Sequence, residues 1–353
     1  MKVLIVCNRN YSNPYVSTLA DGLVEYGCDV VCSVDEFWNN PLNYDIVHIQ
    51  WPNVLANNIG YNGIQLKYIL RNLKEKRIPV VVTLHNLIPH YNDDLQMLLT
   101  YKLIYENANC IIHLGNASVD LMKKKWSNIN AIHVVIPHHI YDTLYDMNVS
   151  KMESRKKLGI PQNSKCILCF GAFRDDEERN IVINLCKKMN GRYYFLVPRF
   201  YEGVIIRKNI FQGLKALCKT IKYFIFARKY NLHMSHQFIS DNDLPLYLSS
   251  ADVLLVQRLR ILNSGNVPLA MLAGLPIVGP DVGNVGWFLK KTGNMSFNIN
   301  HLDELPNIVR NALEQKELGL RNEKYAKKNL TTKIIAQKTK NIYEMMICRT
   351  VNS

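Results

Sequence analysis

The chain has 353 residues, 48% hydrophobic and 20% charged, which excludes a disordered, collagen-like or disulfide-scaffold protein and predicts two domains of roughly 150 to 180 residues. Lys and Arg number 43 against 29 Asp and Glu, a formal charge of +14, so an anionic partner is expected: a nucleotide or phosphate, a nucleic acid, or an anionic membrane surface. No run approaches the ~18 apolar residues of a spanning helix, the stretch after Lys2 is too short for a signal peptide, and the nine cysteines scattered through apolar segments suit a reducing compartment. A cytoplasmic protein, at most peripheral to a membrane, is expected.

In chain order, Val3 to Cys7 reads as a strand and Pro14 to Tyr26 as a helix with Leu19, Leu23 and Tyr26 on one face. Strands follow at Val30 to Val34 and Asp45 to Gln50, a helix at Ile64 to Lys76, a strand at Val80 to Leu84 and a helix at Asp93 to Asn107. Cys110 to Leu114 and His133 to Ile136 close the set. Near-continuous apolar strands with helices between them predict a parallel sheet covered on both faces.

From Tyr141 to Asn163 the pattern lapses into a polar stretch, read as the domain linker. The alternation then restarts with strand Cys166 to Phe170, helix Glu177 to Met189, strands Tyr193 to Val197 and His236 to Ile239, and helix Asp243 to Ser250. Strand Val253 to Val256, helix Val267 to Ala273 and strand Pro276 to Val278 complete it. The fold class predicted is α/β, with two consecutive doubly wound, Rossmann-like domains and ligand sites at the carboxyl ends of strands and in the cleft between domains. The domains run 1–150 and 151–330, the second with an insertion at 203–230, and a C-terminal helix at 331–353 ends a Lys-rich helical stretch. Cys166 and Cys169 fall in an apolar run with no helix start behind them, which reads as a buried strand rather than a redox pair.

The stretch Arg258 to Pro276 carries the strongest chemical signal. A strand ends at Val256, a polar Gly-containing loop follows, and a small-residue helix begins near Asn266. Free backbone N–H groups at Ser264, Gly265 and Asn266 would bind a phosphate there; an ordinary loop and N-cap is the competing reading. No Asp-x-Asp ends a strand and no His or Cys residues cluster with ligand spacing, so no metal is expected. Gly203 to Ser240 holds seven basic residues and no Asp or Glu. At ~100° per residue Ile206, Ile210, Leu214, Leu217, Ile221 and Phe224 share one face, with Lys208, Lys215, Lys219, Lys222 and Lys229 roughly opposite. Such a basic amphipathic helix either lies on an anionic bilayer, with Arg207 also facing it, or packs its stripe on the second domain and leaves the lysines solvated. No basic-aromatic module of a nucleic-acid binder is present.

The run from Arg258 to Pro276, continued by Ile277-Val-Gly-Pro-Asp-Val-Gly283, resembles the signature region of GT-B-fold glycosyltransferases, particularly the retaining group called family 4. Further matches are Ser250-Ala-Asp-Val-Leu-Leu255, Arg155-Lys-Lys-Leu-Gly-Ile-Pro161, Phe170-Gly-Ala-Phe-Arg174, Asn13-Pro-Tyr15, Val47-His-Ile-Gln-Trp-Pro52 and Thr83-Leu-His-Asn-Leu-Ile-Pro-His90, the last three similar to bacterial polysaccharide transferases. The resemblance spans nearly the whole chain. It implies sugar transfer from a UDP- or GDP-linked donor to a lipid-linked or glycan acceptor in surface polysaccharide synthesis, with retention, with neither metal nor other cofactor, on the inner face of the cell membrane and with C-terminal helices returning toward the first domain. It implies His85 near the reacting carbon, Arg174 and then Arg179 as the diphosphate clamp, Asn263 to Asn266 on the diphosphate, and Asp243 beside the base. Asn8, His48, Trp51 and His90 become acceptor-side candidates. The pattern departs at one point: Ile261 and Leu269 stand where such enzymes carry two glutamates, the second holding the ribose. A non-catalytic binding subunit of the same fold and a nucleotide-sugar epimerase are the alternatives.

Overall fold

Twelve short apolar runs form two six-stranded sheets in which every pairing is parallel. The computed structural model describes residues 1–10, 13–57, 62–89, 95–200, 210–235 and 238–352; for 210–216, 219–220 and 352 it describes the backbone alone. The first sheet holds β1 (Lys2–Val6), β2 (Asp29–Cys32), β3 (Ile46–Ile49), β4 (Val80–Leu84), β5 (Cys110–His113) and β6 (Ile132–Val135) in the order β2-β1-β3-β4-β5-β6. The second holds β7 (Cys166–Leu168), β8 (Tyr194–Val197), β9 (Leu232–Met234), β10 (Val253–Leu255), β11 (Ile277–Pro280) and β12 (Met295–Phe297) in the order β12-β11-β10-β7-β8-β9. The central strands are apolar at every position because helices bury both faces: Val3 to Val6, and Ile167 with Leu168, are wholly inaccessible. The fold class is thus α/β with two doubly wound, Rossmann-like units.

The units comprise Met1–Thr143 with Asn329–Ser353, and Leu144–Lys328. The C-terminal helix Thr332–Asn352 belongs to the first. Its first turn is fixed by Asp142, whose carboxylate accepts from the Thr332 amide (2.7 Å) and hydroxyl (2.9 Å). It then packs on the helix Tyr15–Glu25 at Gly22, where a Cβ would come within 2.8 Å of Ala336 Cβ. Only glycine allows that approach.

The polar stretch read as a linker contains a helix, Lys151–Leu158, that is part of the second unit. Ser150 caps it by accepting from the Glu153 amide (3.2 Å), and Gly159 ends it in the left-handed conformation. Its charges are structural. The buried Arg155 donates to the Ser250 carbonyl (3.0 Å), the Gln162 carbonyl (2.6 Å) and Asp252 (2.7 Å), while Lys151 and the Cys166 amide also reach Asp252. Burial alone would raise the Asp252 carboxyl, but these donors and the Lys151 and Arg155 charges together hold it below its ordinary value. A carboxyl depressed by folding stabilises above its ordinary value of 3.8 and loses that contribution as pH falls through the folded value. Asp252→Ala strands a buried guanidinium, so a loss of about 3 kcal/mol is expected on chemical denaturation; Asp252→Asn should recover part of it.

The strand expected at His236 to Ile239 lies earlier, at β9, because Leu232 and Met234 are the residues that turn into the core; 236 and 237 lie outside the described residues. Helices Val34–Asn39, Asn116–Lys125 and Gly283–Thr292 and strand β12 are additional to the elements expected. Cys166 and Cys169 are buried free thiols, as the strand reading has it, and burial pushes the Cys166 thiol up to about 12.

The basic helix is present as Ile210–Lys229, but it docks on the second unit by Tyr223, Phe226, Ala227 and, just beyond it, Tyr230. The stripe singled out from sequence is on the other side: Leu217, Ile221 and Phe224 are exposed. Aromatic pairing explains the choice, since Tyr223 meets Phe200 at 5.1 Å and Phe226 meets Tyr230 at 4.6 Å. Among the described residues no helix is long and apolar enough to cross a membrane.

Candidate functional site

In each sheet the strand order reverses once, between β1 and β3 and between β7 and β10. Open α/β sheets hold ligands outside the carboxyl ends of their strands at that point. Both places carry polar clusters.

In the first unit His85 follows β4 and is held from two sides. Trp51, the residue after the β3 loop begins, stacks on its ring at 4.2 Å, and Tyr15 meets it edge-on at 4.9 Å. Gln50 Oε1 lies 3.0 Å from His85 Nε2. Burial, then the neighbouring His138 and His48, push the His85 imidazole well below its ordinary value, so the ring is neutral. The pair His138 and His139, after β6, extends the cluster: both rings lie 4.7 Å from Tyr15, and Tyr141 Oη is 3.2 Å from His138 Nε2. Thr18 Oγ1 donates to the Pro14 carbonyl (2.8 Å), so its oxygen accepts from His139 Nε2 (2.6 Å). That tautomer leaves His139 Nδ1 as a buried acceptor with no partner among the described residues.

His48 is not a cleft wall. It is fully buried between Tyr343 Oη (2.5 Å from Nδ1) and Thr83 Oγ1 (2.7 Å from Nε2), bolting β3 to β4 and to the C-terminal helix. Burial lowers it to about 3. Asn8 is exposed at the end of β1, where its Oδ1 accepts from the Val34 amide (3.1 Å). His90 lies outside the described residues.

In the second unit two loops meet at the reversal point. The loop after β7, Phe170 to Arg174, has its carbonyls pinned in turn: Asn266 Nδ2 donates to Phe170 O (2.7 Å), Arg258 to Ala172 O (2.8 Å), and Arg179 to Phe173 O (3.3 Å). Gly171 sits at φ +99, and a Cβ there would lie 3.3 Å from Asn266 Nδ2. The Arg174 amide donates to the buried Glu178 (3.0 Å), which Arg258 also holds (3.0 Å). With its carbonyls engaged by the protein, the loop is rigid before any ligand arrives. Arg174 has its side chain exposed at the loop's end. Arg179, by contrast, is a brace: its guanidinium also binds the Phe200 carbonyl (2.9 Å) and Asp176 (3.2 Å), which removes it as a second clamp.

Asn263 to Asn266 form the facing loop. Ser264 Oγ accepts from the Asn266 amide (3.3 Å), and Asn263 Oδ1 accepts from Asn284 (2.8 Å). The helix Asn266–Leu272 behind it spans only two turns, so directed backbone N–H groups rather than a large dipole are what it offers. Leu269, which the sequence resemblance aligns with a glutamate of such enzymes, is buried in the core and cannot accept a hydroxyl hydrogen bond. Asp243 takes the N-cap position of Leu244–Ser250 but its carboxylate accepts from Ser240 Oγ (2.7 Å), and no hydrogen bond joins it to either loop among the described residues.

Arg258, Glu178, Gln50, Tyr15 and the His138–His139 pair were not singled out from sequence. A signal existed for the histidines, which follow a strand's carboxyl end as His85 does. None existed for Glu178, whose distant partner Arg258 lies on another strand's loop.

Two doubly wound units in one chain, each with a polar cluster at its reversal point, define the GT-B architecture. Solved structures of that architecture match over the full length at low identity: sucrose-phosphate synthase from Thermosynechococcus elongatus, with 14% identity over 99% of each chain and a TM-score of 0.72, and a glycosyltransferase from Rickettsia africae, with 14% identity over 98% of each chain and a TM-score of 0.70. Anabaena HepE, determined with UDP and glucose, matches with 14% identity over 98% of this chain and 100% of its own, at a TM-score of 0.69. At such identity the likeness is one of fold. No protein-family model matches the sequence, and no curated protein does.

Proposed function

We propose that the protein is a glycosyltransferase that moves a sugar from a UDP- or GDP-linked donor to a lipid-linked or glycan acceptor in surface polysaccharide synthesis. The observation that carries this reading is the braced Phe170 to Arg174 loop facing Asn263 to Asn266 at the reversal point of the second sheet. Rigid backbone donors and an exposed arginine there suit a diphosphate, and HepE, of the same fold, was determined with UDP-glucose.

Transfer with retention and without a metal belongs to the same proposal. The bond from the anomeric carbon to the donor phosphate breaks, the acceptor oxygen attacks on the same face, and the acceptor proton passes to the leaving diphosphate. Arg174 and the loop amides stabilise the departing charge. The neutral His85 ring would face the donor sugar. Buried Leu269 favours a second reading, a binding subunit that holds a nucleotide sugar without turning it over.

A panel of UDP- and GDP-sugars separates these. A bound donor at 100 times its dissociation constant should add about 2.7 kcal/mol of stability, and release of free nucleoside diphosphate should follow when an acceptor is supplied. Stabilisation without release selects the binding subunit, and no stabilisation by any nucleotide sugar rejects both readings.

A further inference from the structure

Amphipathic helices of globular domains turn their apolar side to the core. Among the described side chains of the helix Ile210–Lys229, two sides are apolar and only one is buried. Tyr223, Phe226 and Ala227 face the second unit's core. On the far side Leu217, Ile221 and Ile225, spaced i, i+4 and i+8, are 45%, 49% and 69% exposed. Three large aliphatic side chains in one line on an already docked helix form a ridge that water covers at a cost.

The charges beside the ridge are all of one sign. Lys222 and Lys229 are exposed and lie about 80–100° around the helix from Ile221, while the exposed Arg228 continues the ridge two turns beyond it. From Gly203 to Ser240 the chain has no Asp or Glu, so no neighbour within that stretch of chain neutralises them. A ridge of aliphatic side chains edged by uncompensated cations matches the depth profile of a bilayer surface, apolar below the headgroups and anionic at them. Lys and Arg stems reach the headgroups while the aliphatic groups sink between the chains.

We propose that this outer face of Ile210–Lys229 docks the second unit on an anionic lipid bilayer. The docking is separate from the transfer reaction and stands or falls without it. The occupant is the bilayer rather than a protein groove, because cations with no Asp or Glu in their own stretch of chain suit diffuse negative charge rather than fixed partners.

Cys218, exposed one turn before Lys222, is a natural reporter; Cys348, the other exposed thiol, can be replaced by serine. With an environment-sensitive dye on Cys218, vesicles of phosphatidylcholine mixed with phosphatidylglycerol should shift the emission and sediment the protein. Pure phosphatidylcholine should do neither, and added salt should reverse the binding. Each cation near an anionic leaflet is worth about a fivefold change in partitioning, so Lys222→Gln, Arg228→Gln and Lys229→Gln together should weaken vesicle binding by roughly 100-fold. Ile221→Ser with Ile225→Ser should weaken it at least about tenfold. All these residues are exposed, so both variants should keep the wild-type melting temperature. Binding that ignores lipid charge, or that the two serines leave unchanged, overturns the proposal. So does a wild type that sediments as a dimer without lipid, becomes monomeric in the serine variant and ignores vesicles, since the ridge is then covered by a second copy.

Discussion

Replacing Gly171 by valine should weaken binding of the nucleotide-sugar donor about 100-fold while the protein still unfolds cooperatively at nearly the wild-type denaturant midpoint. At φ +99 a side chain is strained by about 1–2 kcal/mol. Its Cβ would also press on the Asn266 amide at 3.3 Å, and the Asn266 bond to the Phe170 carbonyl, worth about 1 kcal/mol, is the first to yield. The free loop relieves most of this by releasing the Asn266 bond, while Arg258 and Arg179 still hold its other carbonyls. The bound loop cannot, because its donors must point at the diphosphate. A difference of about 2–3 kcal/mol between these states is a factor near 100 in affinity. Calorimetric titration with whichever UDP- or GDP-sugar stabilises the wild type decides it, and undiminished affinity would take this loop out of the donor site.

With His85 in the proposed place beside the reacting carbon, His85→Ala should lower turnover about 100-fold with donor affinity changed only a few-fold, because such a contact counts most as charge develops there. Burial holds His85 well below, and His138 at about 4, against an ordinary 6.5. The turnover of folded enzyme should therefore show no histidine limb between pH 5.5 and 8, a range that the ordinary imidazole value bisects. Stability should behave differently. The unfolded chain takes up protons below about 6.5 that these folded rings refuse, so stability is full above that value and falls as pH drops beneath it. A turnover profile with a limb near 6.5 at constant folded fraction would mean that the ring titrates freely and is not enclosed by Trp51 and Tyr15.

Much of the scaffold was legible because parallel strands covered on both faces leave a run with no polar position, as at Val80 to Leu84, where the sequence reading and β4 coincide. Short strands and capped helices were less so. The Ser150-x-x-Glu153 box was a readable helix start, but the charges behind it pointed to a linker, and only the contacts of Arg155 with Ser250 and Asp252 reveal why they are there.

At the candidate sites, residue type and position after a strand singled out His85, Trp51, Arg174 and the Asn263 to Asn266 loop, and the structure has them after β4, β3, β7 and β10. Partner choice was not readable. Sequence position ranked Arg174 above Arg179 without showing what either touches: one is exposed and the other spans Phe173, Phe200 and Asp176. His48 lies within β3 and differs from His85, which follows β4, because Thr83 and Tyr343, the latter nearly 300 positions away, close over it. Periodicity likewise announced an apolar stripe on the basic helix without saying what covers it. A 3.6-residue repeat records that one face is apolar, not which body lies against it; the rings of Phe200, Tyr223, Phe226 and Tyr230 decided that the stripe of Leu217 and Ile221 looks outward.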